Sequence, residues 1–262
     1  MSSFTLDKNI FNPTLYKNIH NVWFEGYDPK ASEVNFDLLT RWFLGSPEQR
    51  RVFDGVCRDN FAHALDSIGP ETFLDATAEP FIQEIRNLAQ RSPENGEAEA
   101  ANAALSLLLL LDQMTRNIFR TNEGLAKVYG HYDKIAQSLA TTLLSSPSSP
   151  VARPDLHTQW RNDVIYRQWF YMPLMHSEDL QVHNLLDDIV GTFMKEVEST
   201  QGSSVNKGLL TQVINFEKEH REILEKFGRY PHRNSALGRE STDEEKAFLA
   251  GGGATFGVSQ EE

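Results

Sequence analysis

The chain reads as all-α, a single domain of eight or nine helices packed as antiparallel pairs. Three observations predict this class. Apolar residues recur at three- and four-residue spacing along most of the 262 residues. Capping boxes and glycine–proline stops punctuate those stretches. Alternating apolar–polar runs are scarce, and no hairpin signal joins two of them.

The first twenty residues, "MSSFTLDKNIFNPTLYKNIH", read as an N-terminal extension, 21–258 as the helical domain and 259–262 as a tail. The start lacks a basic segment followed by an apolar run, so it is not a secretory signal. In "SPEQRRVFDGVCRDNFAHALDSIG", Ser46 caps, Pro47 takes the first helical position and Gln49 closes a capping box. Val52, Phe53, Val56, Phe61 and Leu65 form its apolar stripe, and Gly69-Pro70 ends it. A second helix fits 80–89, followed by the loop "RSPENGE".

The most apolar helix spans about 97–120 and is expected at the centre, contacted from several sides. Further helices fit 122–145, 155–175, 177–197 and 206–227, with "SSPSSPVARP" and "STQGSS" as loops between them. A last helix opens at the capping box "STDE" from Ser241 and stops at the glycines 251–253. No fixed period of about 34 residues is visible.

Composition excludes several function classes. With 37 Asp+Glu against 25 Lys+Arg the net charge is −12, which disfavours broad binding to nucleic acid or an anionic membrane surface. The longest apolar stretch, 103–111, is far short of the roughly 18 residues a span needs. The single cysteine, Cys57, rules out an intrachain disulfide framework. A soluble cytoplasmic protein is expected. "GGGATFG" has no strand before it and no helix after it, so it is not a nucleotide loop, and no motif names a cofactor.

Three segments place polar residues where periodicity expects burial. In "LLLLLDQMTRNIFR", Asp112 and Arg116 share a face with Leu105, Leu109 and Phe119, in the favourable order for an ion pair. Asn117 and Arg120 follow within a turn. In "YMPLMHSED", Pro173 interrupts the helix and sends His176, Glu178 and Asp179 to a break between helices; Ser177 can cap the next helix, with both acids in its first turn. On the helix 206–227, His220 sits within the apolar face Leu209, Val213, Phe216, Ile223, Leu224 and Phe227. That helix runs directly into "GRYPHRN", carrying Arg229, His232, Arg233 and Asn234. Glu217-x-x-His220 has the spacing of a di-iron carboxylate ligand pair, but no second such pair exists, so no metal site is assigned.

The segments "VWFEG", "RWF", "LLLLLDQMTRNIFR", "YMPLMHSEDL" and "HREILEKFGRYPHRNSALGRESTDEE" resemble the signatures of the domain-of-unknown-function family 924, placed in the tetratricopeptide-like helical superfamily. The resemblance runs from Val22 to Gly257. It implies a tetratricopeptide-like arrangement of antiparallel helix pairs and no particular reaction. One departure is visible: where the family pattern reads Asp-Gln-Phe-Pro-Arg-Asn, Met114-Thr115 replaces Phe-Pro. The connection "SSPSSPVARPDLHTQWRND" also looks longer than the family's.

The expected function is a pocket between helices that binds a small anionic metabolite, a carboxylate or phosphate. Arg116, Arg120, Arg229 and Arg233 serve as anion clamps, and Asn117 and Asn234 as orienting groups. His176, His220 and His232 are the proton carriers if the site does chemistry, with Asp112 or Glu178 to orient a histidine. The alternative is a helical module that binds a peptide or partner protein, its arginines being structural braces paired with acids such as Glu219, Glu222 or Glu240.

Overall fold

In the computed structural model the described residues are 4–31, 35–91, 94–145, 153–199 and 204–256. The loop residues 92–93, 146–152 and 200–203 and the tail 259–262 lie outside them. Among the described residues there are ten helices and no strand, and none is long and apolar enough to cross a membrane.

Helix α1 (Pro13–Trp23) begins where the Asn12 side chain accepts from the backbone of Thr14 and Leu15, with Pro13 pre-set for the first turn. Its buried residues Leu15, Tyr16, Ile19 and Trp23, together with Leu6 and Phe11, belong to the main core. Residues 4–20 therefore do not form an extension. The four-residue apolar spacing of Leu15, Ile19 and Trp23, anchored by an Asx cap, is the signal that marks it as a helix. Helix α2 (36–44) is one α turn continued by a π turn, and α3 (Pro47–Ser67) carries the expected Ser46–Gln49 capping box. The buried stripe of α3 is Phe53, Cys57, Phe61, Ala64 and Leu65, whereas Val52 and Val56 face outward.

Helix α4 (Glu79–Arg91) packs along α5 (96–118). Every residue of α5 from Ala103 to Leu111 is fully buried, because α1, α3, α4, α6 and α7 all pack on it. Each such leucine contributes roughly 2 kcal/mol of transfer free energy. Helix α6 (122–145) follows. Both α5 and α6 contain a π turn, Leu109–Met114 and Val128–Tyr132, where one extra residue is accommodated without breaking the helix. At Thr115 the chain does not end its helix. The Thr115 hydroxyl donates to the Leu111 carbonyl at 2.8 Å and the helix continues to Ile118.

Helix α7 (Val164–Met175) starts later than the sequence pattern suggests. Asp163 caps it, accepting from Ile165 and Tyr166, while Pro154–Leu156 form a separate 3-10 turn. Arg153 and Tyr171 both bond buried Asp155, which fixes the preceding segment in a non-helical path. Helix α8 (Leu180–Ser199) opens with Asp179 accepting from Gln181, and Ser177 accepts from Asp179. Helix α9 (Ser204–Phe227) packs on α8 and α7. Helix α10 (Asp243–Ala250) has its capping box one residue later than expected, between Thr242 and Glu245.

Candidate functional site

Four elements and two turns converge on one cluster. The π turn of α5 carries Asp112, and Arg116 lies one turn on. The π turn of α6 carries Tyr129, with Asp133 one turn on. An extra residue in a helix rotates everything after it by about 100°. The two π turns therefore decide which way these four side chains face.

Pro173 lies within the last turn of α7, and the helix ends at Met175. The backbone NH of His176 donates to the Met172 carbonyl, and the chain then turns toward α8. At the end of α9, Gly228 adopts φ +69°, where a side chain would be strained. The chain then enters the 3-10 turn Pro231–Arg233.

Asp112 is 1% exposed and sits 2.7 Å from His176 Nδ1. Burial alone would raise its pKa, but the interaction with the His176 NH and the charge of Arg116 outweigh this and hold it at about 2. An ionised Asp112 can only accept, so His176 Nδ1 carries the proton and Nε2 the lone pair. Burial and Arg116 lower the His176 pKa against the opposing pull of Asp112, which favours that neutral form.

Arg116 is matched to carboxylate. It donates twice to Asp133 (2.7 and 3.0 Å) and once to the Asp112 carbonyl (2.8 Å), and stands 3.3 Å from the Asp112 carboxylate. Arg233 is held differently. Its guanidinium lies between the rings of Tyr129 and Tyr230, 4.6 Å from each centroid. It donates to the His176 carbonyl at 2.9 Å and is 3.7 Å from Asp133, the carboxylate already taken by Arg116. Its Nε is buried with no hydrogen-bond partner.

His220 Nδ1 donates to the Phe216 carbonyl, leaving its Nε2 lone pair in the cluster, and its ring centroid is 6.0 Å from that of His176. Burial, reinforced by His176, depresses it to about 3. His232 packs against Tyr129, Tyr230 and Phe256, and burial with the adjacent Arg233 charge lowers it to about 2. The cluster therefore holds two carboxylates, two guanidiniums and three neutral imidazoles.

The remaining sequence-derived residues lie on other partners. Asn117 and Arg120 both bond Asp54 on α3, Arg120 through two nitrogens. Arg229 is clamped by Glu245 (2.7 and 2.8 Å) and the Glu240 carbonyl. Each guanidinium is thus already matched to a carboxylate, Arg120 to Asp54 and Arg229 to Glu245. Asn234 donates to Ser241 and Glu245 and helps close the loop. Glu178 is bonded twice by Arg239 and by the backbone NH of Tyr230, so it ties the 230–239 loop to the α7–α8 corner. Asp179 is an exposed helix cap.

Glu217 turns to His183 (2.6 Å) rather than toward His220. Among the described residues no group of three or more His, Cys, Asp or Glu side chains is arranged to hold a metal ion.

Sequence reasoning missed Asp133, Tyr129, Tyr230 and Phe256. The Tyr129–Asp133 spacing of four was available, as was the unmatched charge of two arginines beside one aspartate. Phe256 lies in the glycine-rich stretch that fits no nucleotide loop.

A family model described as a bacterial protein of unknown function (DUF924) matches residues 19–253, and the chain belongs to that family. It resembles the solved structure of ATU0120, a protein of unknown function from Agrobacterium tumefaciens. Identity is 25%, the match covers 93% of this chain and 98% of that one, and the TM-score is 0.56. No curated protein matches the chain.

Proposed function

We propose that this member of the DUF924 family binds a small anionic molecule, a carboxylate or phosphate, at the Asp112–His176–Arg233 cluster. The observation that carries the reading is Arg233. Of the arginines converging near the site, Arg116, Arg229 and Arg239 are each matched to a carboxylate by short hydrogen bonds, whereas Arg233 donates to the His176 carbonyl, stands 3.7 Å from Asp133 and keeps a buried Nε without a partner. A buried donor left unpaired costs about 1–3 kcal/mol, so a bound anion that accepts from it recovers that penalty. Guanidinium geometry suits a planar carboxylate or a phosphate.

The same geometry equips the site to move a proton. His176, oriented by Asp112, presents Nε2 as a base, the arrangement expected of an aspartate-supported imidazole. His220 stands beside it as a second neutral imidazole. The balanced charge of the cluster keeps it folded without ligand, and a bound anion would be accompanied by proton uptake on one of these rings.

The interaction-module alternative draws on a different surface. Phe36, Phe43, Leu44, Val52 and Val56 are exposed on α2 and α3.

Titration of inorganic phosphate and acetate, followed through the imidazole proton resonances, tests the proposal. The wild type and Arg239→Gln should respond alike, because Arg239 is already committed to Glu178. Arg233→Gln should bind at least about tenfold more weakly, the loss of one charge-assisted hydrogen bond. Equal titrations for Arg233→Gln and the wild type would overturn the assignment.

A further inference from the structure

Phe256 is the feature that the anion reading does not use. Its ring stacks on His220 with centroids 3.7 Å apart and planes at 15°, the closest aromatic stacking in the cluster. Tyr230 stands nearly perpendicular to that stack, at 5.6 Å and 88° from His220 and 6.2 Å and 79° from Phe256. His232 approaches the Phe256 ring at 5.5 Å and 70°. One flat face and two walls at right angles define a slot that fits a planar ring.

The residue filling the slot carries a strained backbone. Phe256 has φ +51°, a left-handed conformation that a bulky residue rarely adopts. It is 37% exposed although its contacts are with buried residues. The segment that carries it follows Gly251, Gly252 and Gly253, with Gly252 at φ +83°. Among the described residues, the final backbone hydrogen bond outside helices runs from Gly253 NH to the Phe248 carbonyl. The ring is thus delivered by a glycine-rich segment and kept in place by its stacking and by Ala254, which packs on the cluster of Ile223, Leu224 and Tyr230. The walls His220, Tyr230 and His232 lie inside the matched family region, which ends at residue 253, and Phe256 lies outside it.

We propose that Phe256 is an internal stand-in occupying the ring slot of the site, and that the molecule the site takes is a planar aromatic or heteroaromatic acid that displaces it. The inference rests on the anion reading for the acid group, whose partner is Arg233, 4.6 Å over the Tyr230 ring that also walls the slot. It adds the ring specificity and the self-occluded state. Displacement swings residues 254–256 about the glycine-rich segment, relieves the left-handed φ at Phe256, and presents the His220 face to the incoming ring. No bond is made or broken in the exchange.

The test uses the full chain as wild type, Phe256→Ala and Phe256→Leu, titrated by calorimetry with benzoate, cyclohexanecarboxylate and benzyl alcohol. A closed state populated at about 90% or more reduces apparent affinity about tenfold. Benzoate should therefore bind Phe256→Ala at least about tenfold tighter than the wild type. Ring stacking should favour benzoate over cyclohexanecarboxylate roughly three- to tenfold.

Equal binding of the two acids to Phe256→Ala overturns the ring slot and leaves the anion reading standing. Benzyl alcohol binding as tightly as benzoate supports the ring slot and overturns the anion reading. No binding by any probe, to a variant that melts with the wild type, overturns both. Phe256→Leu keeps an apolar cover without a planar ring, and supplies the same comparison if the alanine variant unfolds.

Discussion

Replacing Asp133 with asparagine removes the one carboxylate that two buried arginines share. In the wild type it accepts both Arg116 bonds and lies 3.7 Å from Arg233. Without it, only Asp112 remains to balance two guanidiniums whose side chains are 21% and 7% exposed. Breaking a buried pair by removing one partner costs 3–5 kcal/mol. Partial exposure of Arg116 and the oxygen retained by asparagine put this case near the lower bound, about 3 kcal/mol.

At about 2.1 cal/mol/K per residue, 262 residues give an unfolding entropy of about 550 cal/mol/K. The expected drop in Tm is therefore about 5–6 °C. Asp54→Asn is the internal comparison. Its partner Arg120 is 44% exposed, which limits the loss to about 1 kcal/mol and about 2 °C. Scanning calorimetry of both variants in one buffer measures the difference. The Asp133 variant also leaves one net positive charge in the cluster, so added phosphate should raise its Tm more than that of the wild type. An Asp133→Asn variant that melts with Asp54→Asn, and gains nothing from phosphate, refutes the reasoning.

Two further outcomes follow from buried titratable groups. His220 and His232 have folded-state pKa values of about 3 and about 2, below the ordinary imidazole value. The unfolded chain takes up protons that the native cluster refuses, so stability present above about pH 6.5 is lost progressively as pH falls toward those values. Each ring contributes a slope of about 1.4 kcal/mol per pH unit, and His232→Gln should flatten the urea-derived stability curve between pH 6.5 and 4.5 by that amount. Curves with equal slopes would mean that His232 is already charged in the folded protein. Cys57 is fully buried and its thiol is pushed up to about 12 by burial and by Asp54. A disulfide reagent should therefore modify it at the rate of unfolding, accelerating with urea, and fast reaction in native buffer would contradict its placement.

The class of fold and most helix limits are legible in the sequence because they are set by local chemistry. Ser46 and Gln49 cap α3, Gly228 ends α9, and the continuous leucines of α5 demand neighbours on every side. The three charged segments were also legible as a group, since each breaks an apolar period, and Arg116, His176, His220 and Arg233 do converge. What periodicity could not supply is pairing between segments distant in the chain. Arg120 and Arg229 look as available as Arg233 until Asp54 and Glu245 are seen to hold them. The π turns add a second obstacle, because an inserted residue shifts every later position off a 3.6-residue template and conceals how Asp112 and Asp133 come to face each other. Helix α1 is a different case: its Asn12 cap, Pro13 and the spacing of Leu15, Ile19 and Trp23 are local signals, so it was legible even though the core it enters is built from residues far along the chain.

That separation has a consequence for how the chain comes into being. The Ser106 hydroxyl donates to the Tyr16 carbonyl across 90 positions, and the Tyr16 hydroxyl to Glu84 across 68. A ribosome adding about 5–20 residues per second leaves α1 waiting on the order of ten seconds before α5 emerges to receive it. Throughout that interval Trp23 can meet Trp42 and Phe53, but the α5 face that completes the burial of α1 is missing. Helix α1 thus emerges well before its contacts with α5 can be completed, and its apolar stripe stays open to a nascent-chain chaperone for that interval.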